Sequence, residues 1–212
     1  METLKKPLSI KVIYWITNIT FWIYVVVSIL AIALSVVFLF NLLPDNNLQL
    51  HVGMPVAVNI LEKGTLDLNI ASNYMDVQFK EMYGKIHFID TPASVAKVYS
   101  IFILTITGAF FYIFLIFRRF INNVYDGKYF DIDNIALLKR ISYALVGVWI
   151  FTAVYSYFQY FFIAINLKFE TITTTGDVQT YPLILLGALF IWVLSHIFQK
   201  GVELKYDNEL TI

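Results

Sequence analysis

Chemistry in a protein needs ionisable, nucleophilic or metal-ligating side chains, and in this 212-residue chain they are distributed unevenly. No Asp, Glu, Lys or Arg occurs from Val12 to Pro44, from Val98 to Phe117, from Ile141 to Leu167 or from Val178 to Gln199. Ionisable groups inside such apolar stretches are the usual marks of ion pathways and proton relays, so their absence speaks against coupled transport. His51 and His87 fall between the first two stretches, with Asp45 and Asp90 as candidate co-ligands, but their spacing is not that of a metal site. Cysteine is absent, which excludes disulfides, thiolate metal sites, a cysteine nucleophile and palmitoylation. No HExxH, GxSxG, Walker or GxGxxG motif is present. Glu62, Asp67 and Asp76 read as turn and solvent-face residues, with no acid–base dyad among them. The expectation is a protein without catalytic residues, metal or cofactor. The formal net charge is zero, so bulk charge offers no case for direct nucleic-acid binding.

Within the apolar stretches Asn18, Gln159, Ser195 and His196 stand out among the polar residues. Interhelical hydrogen bonding accounts for such residues more readily than a ligand site. Ala31, Ser35, Gly108, Gly147, Thr152, Ser156 and Gly187 would let helices approach closely. The third stretch is very aromatic, and Tyr155, Phe158, Gln159 and Phe162 are the candidates for lining a lipid or apolar pocket there.

The elements that carry these residues follow from length. A hydrocarbon core needs about 20 apolar residues in helical form. Transmembrane helices are therefore expected over 17–43, 97–118, 140–166 and 180–200, in one membrane domain of 1–212. The first apolar run is too long for a cleaved signal peptide and reads as a retained helix, with Tyr14, Trp15 and Trp22 at headgroup level. All three arginines, Arg118, Arg119 and Arg140, fall on the side that also holds Lys5, Lys6, Lys11, Lys128, Lys139, Lys200 and Lys205. The opposite side carries only Lys63, Lys80, Lys85, Lys97 and Lys168. The positive-inside rule then places both termini in the cytoplasm.

Segment 45–96 becomes an outer loop with a period of two. Leu48, Leu50, Val52, Met54, Val56, Val58 and Ile60 alternate with polar or small residues, as do Leu66, Leu68 and Ile70. Tyr74–Phe79 and Lys85–Ile89 are further strand candidates, divided near Gly84, and Glu62-Lys63-Gly64 reads as a turn. Pro55 implies an edge, bulged or broken first strand. The short outer loop 167–179 offers one more strand in Phe169–Thr175. The expected fold class is an α-helical integral membrane protein: a four-transmembrane-helix bundle with a small extracytoplasmic antiparallel β-sheet. The first outer loop would form most of that sheet, with its apolar face towards the helices.

The inner loop 119–139 has a turn at Asp126-Gly127, and Asp131 or Asp133 can cap a helix running through Ile135, Leu137 and Leu138. It reads Gly127-Lys-Tyr-Phe130, then Asn134, Leu138 and Ile141. The tail 201–212 reads Gly201-Val-Glu-Leu204, then Glu209-Leu210-Thr211-Ile212. These two segments resemble a family of bacterial four-helix membrane proteins known as domain of unknown function 2975. The resemblance covers most of the chain in layout and is specific at the two inner segments. It implies a bacterial inner-membrane protein and, as partner, a small helix-turn-helix regulator on the cytoplasmic side. Physically, Gly201 would allow a bend where the fourth span leaves the membrane, and Asn134 would bond local backbone. Gly127, Phe130, Asn134, Gly201, Leu204, Glu209, Leu210 and Thr211 are the candidate partner surface.

The reading that results is a non-enzymatic membrane protein of regulatory or sensory type, coupling an outer β-rich cap to a cytoplasmic loop and tail. A transporter or channel subunit, and a structural module of claudin-like layout, are the alternatives. The lipid bilayer is a partner in each, and a homo-oligomer is open to all three.

Overall fold

The computed structural model of the protein describes residues 7–42, 53–59, 62–67, 74–79, 82–87, 91–168, 173–175, 178 and 180–209. Four long helices dominate: α1 Leu8–Phe40, α2 Ala93–Tyr125, α3 Ile132–Phe162 and α4 Pro182–Glu209. All four are long and apolar enough to cross a membrane. A short 3₁₀ turn, Ala164–Asn166, follows α3. The chain forms two compact units. One comprises Met1–Pro44, Ala93–Phe151 and Tyr181–Ile212, and the other Asp45–Pro92 and Thr152–Thr180.

Local chemistry sets the helix ends. Proline needs no N–H partner at a helix start, and Pro182 opens α4 while Pro7 precedes α1. α1 stops at Asn41, which takes the left-handed conformation at φ 49° and donates its N–H to the Val37 carbonyl. α2 ends at Tyr125, and the chain turns at Gly127, whose φ of 85° suits a residue without Cβ. The N–H groups of Asp126 and Lys128 there satisfy the carbonyls of Asn122 and Asn123 at 2.9 and 3.0 Å. Asp131 caps α3, its Oδ1 accepting from the Asp133 N–H at 3.1 Å.

Within the first unit the helices pack through apolar and small polar contacts. Ile116, Leu137 and Ile141 form a core joined by Ile113, Phe120, Leu145 and Ile191 from α2, α3 and α4. Ser142 Oγ donates to the Ala188 carbonyl at 2.8 Å with both residues buried, tying α3 to α4. Tyr24 Oη donates to the Thr107 carbonyl at 3.2 Å, tying α1 to α2. Ile29, Leu30, Leu183, Phe190 and many other apolar side chains stay exposed. Lipid is the solvent that such a surface requires. A Cβ built at Gly108, Gly147 or Gly187 would meet nothing within 4 Å, so these are not the points of close helix approach expected from the sequence.

The expected fold class needs correction outside the helices. The single small extracytoplasmic sheet does not form. Strands β1 Gly53–Asn59, β2 Glu62–Asp67, β3 Tyr74–Phe79, β4 Met82–His87 and β5 Thr173–Thr175 divide into two sheets. One is three-stranded in the order β4-β1-β5, and the other is the pair β2-β3. The first takes β5 from the short outer loop, within the strand expected at Phe169–Thr175. The helical membrane bundle is the part of the expected class that fits. Glu62, Lys63 and Gly64 lie inside β2 rather than in a turn, and Gly84 lies inside β4, paired with Val56. β1 is the central strand of its sheet, not an edge. Pro55 is tolerated because β5 pairs only with Ala57–Asn59, leaving the Pro55 half of β1 with one neighbour, β4. Residues 48–52 and 68–70, His51, Asp45 and Asp90 lie outside the described residues.

Candidate functional site: the loop end of the helix bundle

The two segments singled out from the sequence meet. The loop between α2 and α3 spans only Asp126–Asp131, because both helices run well past their apolar stretches. Asn134, in the first turn of α3, is 0% exposed and anchors this loop. Its Nδ2 donates to the Lys128 carbonyl, with the Tyr129 carbonyl 3.5 Å away. Its Oδ1 accepts from Asn123 Nδ2 at 2.9 Å. One buried amide thus satisfies loop backbone and locks the end of α2 to the start of α3.

The loop held in this way carries Phe130 onto α4. A Cβ added at Gly201 would lie 2.7 Å from Phe130 Cε1. The expected bend at Gly201 is therefore corrected: α4 runs unbroken through it, and the glycine is there to admit the Phe130 ring. Phe198 adds an aromatic neighbour, 5.8 Å from Phe130 and 6.3 Å from Phe120 between ring centroids.

Beside this contact α3 and α4 enclose an open groove of about 430 Å³. Ile132, Ile135, Ala136 and Lys139 line it from α3, and Gln199, Val202, Glu203 and Tyr206 from α4. A polar chain crosses from α3 to α4. Lys139 Nζ donates to Gln199 Oε1 at 3.2 Å, Gln199 Nε2 to Glu203 Oε1 at 3.3 Å, and Lys200 Nζ pairs with Glu203 Oε2 at 2.6 Å. The opposite character lies in exposed apolar groups: Phe130 is 52% exposed, Ile132 59%, Leu204 63% and Tyr206 53%. The groove thus has an apolar floor and a charged rim.

Of the expected surface residues, the structure brings together Gly127, Phe130, Asn134 and Gly201, with Leu204 exposed one turn beyond Gly201. Glu209 closes α4, while Leu210 and Thr211 lie outside the described residues. Asn123, Ile132, Lys139, Gln199, Val202, Glu203 and Tyr206 were missed by sequence reading. For all but Asn123, which lies on α2, the signal was their spacing of three, four and seven residues on the extensions of α3 and α4.

The aromatic candidates sit in the other compact unit. Gln159 is buried and its Nε2 donates to Tyr155 Oη at 2.8 Å. Phe158 stacks on Phe162 at 4.9 Å. These contacts run along α3 itself. His196 Nδ1 lies 3.0 Å from the Trp192 carbonyl and Ser195 Oγ donates to the same carbonyl at 2.6 Å, so the pair serves its own helix. Among the described residues no three His, Cys, Asp or Glu side chains gather where they could hold a metal ion.

Four membrane-length helices with lipid-suited surfaces define a multi-pass membrane protein. The family model "Protein of unknown function (DUF2975)" matches residues 71–212. The chain belongs to that family. No curated protein and no solved structure matches it.

Proposed function

We propose that this is a non-enzymatic membrane protein of regulatory type that offers the loop end of its bundle to a cytoplasmic protein. The observation that carries the reading is the meeting of Gly127–Asn134 with Gly201–Leu204 beside the open α3–α4 groove. A buried asparagine and a glycine fitted to an aromatic ring hold this end in one shape, as a recognition surface requires. The basic residues near that end favour a cytoplasmic location for it and for both termini, in the inner membrane of a bacterium. The partner favoured by the family resemblance is a small helix-turn-helix regulator, met as protein and without direct contact of this chain with nucleic acid.

Co-purification of the full-length protein with that regulator tests the reading. Ile132→Glu and Tyr206→Glu replace exposed groove residues, and each is expected to abolish the association without lowering membrane expression. Undiminished association in both variants, or a reporter fused at the C-terminus that proves extracytoplasmic, overturns it.

A further inference from the structure

A second feature, independent of the partner reading, lies where α1 and α2 cross. Arg118 is partly buried on α2 and reaches across to α1. Its Nε donates to Asn18 Oδ1 at 2.8 Å, and Asn18 is itself held by an Nδ2 bond to the Tyr14 carbonyl at 2.9 Å. The guanidinium lies 4.5 Å from the centroid of the Phe21 ring and 5.9 Å from that of Trp22. It is thus positioned by α1, not left to extend freely into water. The two terminal nitrogens take no partner among the described residues, where the one ion pair is Lys200–Glu203. Neither α1 nor α2 contains an Asp or Glu to neutralise the charge.

Depth identifies the missing anion. Val98–Phe117 holds 20 residues without a charge, and 20 helical residues span about 30 Å, the thickness of the hydrocarbon core. Arg118 is therefore the first charge beyond the core, at the level of the lipid phosphates. On α1, Asn18 is at the same level because it accepts the Arg118 Nε–H. Trp15 and Trp22 are more than half exposed on this face of α1, as side chains of the headgroup region are. A planar guanidinium whose terminal nitrogens have no partner among the described residues matches a phosphate in two parallel hydrogen bonds.

We propose that Arg118, oriented by Asn18 and Phe21, binds the phosphate of a phospholipid headgroup at the α1–α2 crossing. The chemistry recognised is a phosphate anion, and the lipid tails would lie along the exposed apolar face of α1.

The test uses full-length protein, delipidated in detergent and titrated with phosphatidylglycerol, diacylglycerol and inorganic phosphate, with bound species read by native mass spectrometry. Wild type is expected to retain phosphatidylglycerol and not diacylglycerol. Arg118→Gln is expected to weaken retention about tenfold, and Arg119→Gln, at the exposed neighbouring arginine, to leave it unchanged. Asn18→Ala keeps the charge but releases Nε; it is expected to weaken retention severalfold and stands in if Arg118→Gln fails to fold. Equal retention by wild type and Asn18→Ala, or of diacylglycerol and phosphatidylglycerol, overturns the proposal. Binding of inorganic phosphate as tight as that of phosphatidylglycerol also overturns it, because the site would then belong to free phosphate.

Discussion

The loop end and the mid-helix stretches of the bundle are made of similar residues yet held in different ways. In mid-helix, Gly108, Gly147 and Gly187 touch nothing where a side chain would go, and the links are single bonds such as Ser142 to Ala188. At the loop end, Gly201 is filled by the Phe130 ring, and Asn134 bonds to two elements at once. In lipid no hydrophobic force distinguishes one apolar side chain from another, so mid-helix positions tolerate exchange. Where the helices leave the apolar stretches, backbone groups of a tight loop need named partners, and shape becomes specific.

The comparison can be broken by substitution, with stability read from chemical unfolding in mixed micelles. The largest loss is expected for Asn134→Ala, about 3 kcal/mol, because two loop carbonyls and the Asn123 amide lose a buried partner together. A loss no greater than that of an exposed substitution would show that the loop is not held by this amide. Next comes Gly201→Ala, at about 2 kcal/mol, from overlap with Phe130. Gly187→Ala is expected to be neutral or stabilising by about 0.5 kcal/mol, since its site is open and alanine favours helix. Equal effects at the two glycines would dissolve the distinction. Adding Phe130→Ala to Gly201→Ala should recover most of the loss, a coupling that a double-mutant cycle measures. Ser142→Ala should cost about 0.6 kcal/mol, in the range of single interhelical bonds in lipid. Lys200→Ala, which removes one exposed ion pair on a single helix, should leave the unfolding midpoint where it was.

The helices were legible because an uncharged run of membrane length has few other solutions. Their ends were less so. The uncharged run ends at Phe117 but α2 continues to Tyr125, because the polar extension is still helix-forming and packs on α1, where Tyr14 stacks on Tyr125 at 4.1 Å. Alternation in segment 45–96 marked extended chain but could not state which strands pair. Two sheets in place of one, and a central β1 despite Pro55, depend on contacts between residues far apart in sequence. For the candidate site, Gly127, Phe130, Asn134 and Gly201 stand out as residue types, yet the type of Gly201 alone points to a bend. A glycine that bends a helix and one that accepts an aromatic ring look alike until the ring is placed.

Sequence alone determined the solvent of this protein and the number of its membrane-length helices, since both follow from local composition summed over about 20 residues. It also carried the family, through residues 71–212. Tertiary structure alone decided that the α2–α3 loop folds onto α4 and that Arg118 turns to α1. Those contacts join residues up to 100 positions apart, and they are selected by shape and hydrogen-bond geometry that no local pattern encodes.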